Sequence, residues 1–315
     1  MPEMLNLFLF LLLSLGLVHD TRAGQSTPGK CKDYIQHSDP TGDAAVARDS
    51  IPHGTGLLWK IEDSDGRQSH LFGTMHSQDR LVTALPPPVR LALAQSRQLV
   101  MEIIPDNPSS RTFAASIYFT DGTRLDTLVD KDIYPALLQL LPPYGIDAAH
   151  ARNLKPWAAF TLIGRPHPVR AATQDEILLQ MANAMGKTVA GLENMGELVA
   201  TLDGMALSDQ ITILNDTVCN HARIIRNTRD LVHMYVARDL AGMMIFNEQP
   251  HQDAGVFSRY MQRIVYDRNQ RMLDRMEKYL HDGSAFITVG ALHLSGAKGL
   301  LQLLEEKGYR IVLVY

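Results

Sequence analysis

The sequence predicts an α/β fold: a central mixed sheet built from two strand–Gly-x-x-His–helix–strand units, with a large helical insertion as a cap. Three observations predict it. One short pattern occurs twice, as SHLFGTMHSQD around Gly73 and His76 and as AFITVGALHLSG around Gly290 and His293. Each copy opens with the apolar and β-branched residues of a strand. Each is followed by a helix-like stretch and a second β-type run, QLVMEII (98–104) in front and YRIVLVY (309–315) behind. Between the copies lies a long stretch of helical periodicity. Two such units packed side by side bring both histidines to the same edge of one sheet.

Composition sets the outer bounds. The chain has 315 residues, 45% hydrophobic and 20% charged, which suits a globular protein with a large core. A net charge of −4, with no basic stripe carrying interleaved aromatics, gives no reason to expect a nucleic-acid partner. Mean hydropathy near zero excludes a multi-span membrane protein. Residues 5–18 (LNLFLFLLLSLGLV) are continuously apolar, yet shorter than the roughly 20 residues of a membrane span. They read as the core of a secretory signal over residues 1–23, with small residues in Thr21-Arg22-Ala23 placing cleavage after Ala23. The expectation is an exported protein, periplasmic or secreted, with no membrane span after cleavage. Glu3 and the lack of a Lys or Arg before the apolar run speak against this, and an uncleaved anchor is the alternative.

Residues 24–55 are rich in Gly, Ser, Asp and Pro and read as a loosely ordered leader, with a short helix around 43–49. The α/β domain is expected over 56–315. Cys31 and Cys219 are the only cysteines, and neither belongs to a C-x-x-C pair. In an exported chain they either form one disulfide or remain free, with Cys219 buried on a helix.

LLWKIE (57–62), the Asp63-Ser64-Asp65-Gly66 turn and residues 69–73 form a hairpin that delivers His76. Pro86, Pro87 and Pro88 open a helix. The strand at 98–104 then carries Glu102 inside its apolar run. The helical middle covers about 109–185 and 205–282. Its first part breaks at Pro142-Pro143, reopens at Lys155-Pro156-Trp157, and closes with QDEILLQMANAM before Gly186. KTVAGL (187–192) is a short strand ending at Glu193. Ser208 is expected to cap a long helix toward Leu240, and 254–280 reads as a second long helix with Phe257, Met261, Ile264, Val265, Met272 and Met276 at helical spacing.

Four residues stand out at the ends of apolar strands or within them: His76, Glu102, Glu193 and His293. A carboxylate in a buried strand is costly unless paired or bound to a metal. Ligands of open α/β sheets gather at the carboxyl ends of strands. Two histidines and two glutamates converging there suit a divalent metal, which lowers the pKa of a bound water and polarises a carbonyl. One glutamate could serve as general base instead. The plainer readings are a capping role for each histidine, a Glu102–Arg268 ion pair, and Glu193 beside the start of the next helix. Arg268 would then lie with Asp267, Arg271 and Arg275 on a solvated helix face. H-E-x-x-H, G-x-S-x-G, P-loop and G-x-G-x-x-G patterns are absent.

LFGTMHSQD, LPPPVRLALAQSRQLVMEI, LKPWAA, GLEN, YDRNQRM and VGALHLSGAKGLLQLLEEKGYRIVLVY together resemble the TraB/GumN family. That family includes the Tiki proteins and is related to ChaN-like and erythromycin-esterase-like folds. The resemblance covers roughly residues 57–315. It implies an α/β core with both motifs at one site and, as in Tiki members, metal-dependent peptide-bond hydrolysis with an ion of Mn²⁺ or Co²⁺ type, Zn²⁺ being an alternative. Matched residue by residue, the metal ligands would be His76, His293, Glu102 and Glu193. Glu102, Glu193, Arg268 and Asn269 would be the catalytic set, the last two orienting a peptide or small-molecule substrate or stabilising an oxyanion. The leading expectation is an exported hydrolase of peptidase or amidase type. The rivals are a non-catalytic exported binding protein for a peptide or haem-like ligand, and an accessory factor for cell-envelope polysaccharide.

Overall fold

The structure, a computed structural model, describes Cys31, residues 48–247 and residues 253–315. The expected signal peptide, and all of the leader up to residue 47 except Cys31, lie outside the described residues.

The hairpin forms where the turn residues demand it. β1 (Leu58–Glu62) pairs antiparallel with β2 (Gln68–Thr74), Leu58 facing Phe72. Asp63 holds the corner, its carboxylate accepting from the Asp65 and Arg67 amides at 3.0 and 2.9 Å. The helix Pro87–Gln95 leads to β3 (Gln98–Met101). β4 (Thr188–Gly191), β5 (Ala285–Gly290) and β6 (Arg310–Leu313) complete a six-stranded sheet of order β4-β3-β5-β2-β1-β6.

β2, β5, β3 and β4 are neighbours and mutually parallel, while β1 runs antiparallel to β2 and β6. The sheet is therefore mixed, as expected. The two units interleave rather than lie side by side: β5 of the rear unit sits between β2 and β3 of the front unit. From this centre the front crossover runs one way, to β3, and the rear crossover runs the other way, to β6. That divergence is the switch point at which open α/β sheets place ligands. Residues 285–289 of β5 are all buried, as a central parallel strand covered on both faces requires.

Several boundaries differ from expectation. β3 ends at Met101, so Glu102 lies just past the strand, although its amide still bonds the Thr288 carbonyl at 2.7 Å. Ser208 is not a cap; the helix Leu207–Cys219 starts from Ala206. The helix breaks at Asn220, whose side chain donates to the Asp216 carbonyl and carboxylate, and resumes as His221–Val236. The second long helix does run unbroken over 254–282, as expected, but a π-turn at Gln262–Tyr266 lies between its stretches Ala254–Met261 and Asp267–Asp282.

Two hydrophobic cores result. One flanks the sheet and includes Phe72, Leu99, Phe286 and Leu301. The other fills the helical cap around Trp157, Phe160, Leu214 and Tyr260. Cys31 and Cys219 are joined by a disulfide with Cα atoms 5.1 Å apart, which pins Cys31 into the cap core. Among the described residues no helix is long and apolar enough to cross a membrane.

Candidate active site

The glycines of the two motifs lie where the motifs meet. A Cβ on Gly73 would stand 2.6 Å from Leu294 Cδ1 and 3.1 Å from Ala291 Cα, so a larger residue there would push on the rear turn. A Cβ on Gly290 would meet Glu102 Oε2 at 3.4 Å, His293 Cδ2 at 3.5 Å and His76 Nε2 at 3.9 Å. Both imidazoles and the Glu102 carboxylate thus converge over Gly290.

Each ring is tied down at Nδ1. His76 Nδ1 donates to Asp175 Oδ2 at 2.6 Å, and the Thr74 hydroxyl donates to Asp175 Oδ1 at 2.8 Å. Next to it, Gln174 Oε1 accepts from the Met75 amide at 3.0 Å and the Tyr235 hydroxyl at 2.8 Å. Asp175 and Gln174 open the helix Gln174–Ala184, whose start is closed by a capping box between Thr173 and Glu176. On the other side, His293 Nδ1 meets Asn269 Oδ1 at 2.6 Å. Asn269 Nδ2 donates to the Lys298 carbonyl at 2.7 Å, which orients the carboxamide and makes His293 the donor. In their neutral forms both rings then carry hydrogen on Nδ1 and present an Nε2 lone pair to the shared space. Orientation of this kind is how proteins prepare histidine ligands.

Arg268 ties the acidic side together. It is 1% exposed, so the charged helix face is not solvated at this position. Its Nη2 reaches Glu102 Oε1 at 2.5 Å and Glu193 Oε2 at 2.6 Å. Arg271 Nε takes the other Glu193 oxygen at 2.6 Å. Glu102 Oε2 accepts the Gly290 amide at 2.7 Å and stands 3.8 Å from His293 Nε2. The π-turn ends one residue before Asp267, and Arg268 and Asn269 follow it, both buried. Such turns are frequent at functional sites.

Burial acts on every group here, and the neighbours decide the outcome. Burial raises the Glu102 pKa, but Arg268, His293 and His76 lower it further, so it ends well below the carboxylate range. Burial depresses His293 to about 4, with only partial relief from Glu102. For His76 burial is outweighed by Asp175, with help from Glu102, and the pKa is raised. Arg268 is raised too, since its two carboxylates overcome its burial.

The structure brings His76, His293, Glu102, Arg268 and Asn269 together, with Glu193 behind Arg268. The donor chemistry of His76, His293 and Glu102 suits a borderline divalent cation. His293 Nε2 and Glu102 Oε2, 3.8 Å apart, are near enough that both could hold one ion. Glu193 does not fit, because both its oxygens are committed to guanidiniums. Among the described residues no group of three or more His, Cys, Asp or Glu side chains stands ready to hold an ion. Asp175 is the site residue that sequence reasoning missed. Its signal, an acid in the first turn of a capped helix, is the same one that ordinary helix starts carry.

Fold and site define an α/β protein whose paired Gly-x-x-His turns meet at one centre. The chain belongs to the TraB/PrgY/gumN family, whose sequence model matches residues 57–312. It is 26% identical over 299 residues to metalloprotease TIKI2 of Danio rerio, covering 77% of this chain and 58% of that protein. It is 23% identical to metalloprotease TIKI1 of Xenopus tropicalis (81% of this chain, 61% of that protein) and of Homo sapiens (81% and 61%). This chain therefore spans about three-fifths of these relatives' length. No solved structure matches it.

Proposed function

We propose that this protein is an exported metal-dependent hydrolase of peptide or amide bonds. One observation carries the reading: two imidazoles, each anchored through Nδ1, turn Nε2 toward one space beside an ionised carboxylate. The relatives named metalloproteases support it. In this reading His76, His293 and Glu102 hold the ion, and ions of Mn²⁺, Co²⁺ or Zn²⁺ type suit those donors. When bound, it supplies Lewis acidity toward the carbonyl under attack.

The chain's own residues do the rest. Asp175 and Asn269 set the ring tautomers. Arg268 neutralises Glu102 and Glu193 and, together with the Gly290 amide, holds Glu102 Oε2 toward His293. Asn269 and Arg268 spend their polar atoms inside the protein, so they position the site rather than touch substrate. A carboxylate held as far down as Glu102 is a weak base, which favours ligation over proton abstraction. The Cys31–Cys219 disulfide suits an oxidising compartment and so supports export.

The test is metal analysis of protein purified without chelator, paired with hydrolysis of a quenched fluorogenic peptide library. His76→Ala and His293→Ala should each lose the ion and lower hydrolysis by at least about 100-fold. Wild-type protein that holds no ion above these variants, and that no divalent ion activates, overturns the proposal. Export is read separately, from fractionation and the mature N-terminus, which should begin at Gly24.

A further inference from the structure

Beside His76 the structure opens a cavity of about 520 Å³ between the turn after β2, the 165–173 loop and the helix His221–Val236. Among the described residues its lining holds two arginines, Arg165 and Arg229, and three histidines, His76, His167 and His233, against a single acid, Asp79. Asp79 caps the next helix, its carboxylate accepting the Leu81 amide at 2.8 Å. Arg165 is buried against the Tyr144 ring, its guanidinium 5.6 Å from the centroid. Burial lowers its pKa only to about 10, so it remains a cation at neutral pH. Arg229 is exposed and, among the described residues, has no ion pair.

The wall of this cavity is built rather than incidental. Gln78, two residues after His76, donates to the Val169 and Ala171 carbonyls at 2.9 and 2.6 Å. Its Oε1 accepts the Val169 amide at 3.0 Å. The 165–173 loop is thereby strapped to the segment that carries His76. Two arginines and their neighbouring histidines then face a space that one histidine of the candidate centre also lines. Arginine forks are matched to carboxylates.

We infer that this cavity is the subsite for a carboxylate of the substrate, so that the protein selects peptides bearing an anionic group next to the bond at His76. The inference rests on the hydrolase reading for what happens to the bound peptide, but not for the binding itself. A peptide enters with its carboxylate at Arg229 on the rim, where the buried Arg165 adds positive charge behind the wall, and its backbone passes over His76 toward Gly290. The carboxylate comes either from an acidic side chain or from a free C-terminus.

Binding decides this without turnover. Dye-labelled pentapeptide pools, identical except for Glu or Gln at one fixed position, are titrated into chelator-treated full-length protein, each pool with a free and an amidated C-terminus. Wild type should bind the carboxylate-bearing pools about tenfold tighter than the Gln, amidated pool. Arg229→Glu should abolish that preference. Arg226→Glu, an exposed position on the same helix that does not line the cavity, should leave it. A preference that follows the Glu side chain, or one that follows the free terminus, supports the inference and identifies the source. Equal binding of all pools, no binding of any, or a preference that survives Arg229→Glu overturns it. Because the protein is metal-free in this assay, failure here leaves the metal and hydrolysis tests standing, and their failure leaves this one standing.

Discussion

The two Gly-x-x-His turns have the same sequence pattern and the same place at the end of a parallel strand, yet their histidines differ. His76 is anchored by a carboxylate, Asp175, and its pKa is raised. His293 is anchored by a carboxamide, Asn269, and is depressed to about 4. Neither anchor belongs to a repeat. Asp175 comes from the helix Gln174–Ala184 and Asn269 from the helix Asp267–Asp282, both in the helical insertion. A duplicated motif thus supplies position, and the insertion between the copies supplies electrostatics. One ring is kept easy to protonate and the other is kept neutral, so a cation entering the site meets unequal partners.

The largest effect should come from the residue that stands between the halves. Arg268→Ala leaves Glu102 and Glu193 as buried carboxylates without their shared guanidinium. Breaking a buried pair in this way costs about 3–5 kcal/mol. Urea unfolding should show the loss at constant m, and Glu193→Gln in the same background should recover part of it. An Arg268→Ala protein as stable as wild type would mean that the triad is not the brace assigned here.

The contrast between the histidines should appear as opposite pH slopes in metal-free protein. Folded His293 takes a proton only near about 4, against an ordinary value of about 6.5. Between those values the unfolded chain binds more protons, so stability rises with pH. About 3 kcal/mol is present above pH 6.5 and is lost as pH falls through 4. His76 has the other sign: its raised pKa gives stability that is full below about pH 6.5 and is lost as pH rises through the folded value. Asn269→Asp gives His293 the kind of partner His76 has. It should raise the His293 pKa by more than a unit in an imidazole NMR titration and flatten the acid slope. An unchanged acid slope would show that the carboxamide is not what separates the two rings.

Much of this was readable before the fold was known, for identifiable reasons. The hairpin followed from the Asp63–Gly66 turn, and the shared edge followed from two strands that each end in Gly-x-x-His. Glu102 was visible because a carboxylate beside an apolar run needs a partner, and Arg268 was among the candidates. The interleaving of β5 between β2 and β3 was not readable, because neighbour order in a parallel sheet is set by crossovers and not by local pattern. The π-turn at Gln262–Tyr266 leaves no mark on composition; it shifts the hydrogen-bond ladder locally within an apparently continuous helix. Asp175 was hidden by distance, lying 99 residues from His76 in a position where an acid already has a helix to serve.

The smallest effect sharpens the same contrast. Thr173 accepts the Glu176 amide at 3.3 Å, and Glu176 accepts the Thr173 amide at 2.7 Å, closing the first turn of the helix that carries Asp175. Thr173→Ala removes one half of that box and should cost about 1 kcal/mol in urea unfolding. The loosened turn should let Asp175 drift from His76, so the His76 pKa should move down toward its ordinary value. His293, anchored on a different helix, should titrate as in wild type. Equal movement of both rings would mean that they respond to the cavity as a whole, and the separate-anchor account of the two motifs would fail on that result.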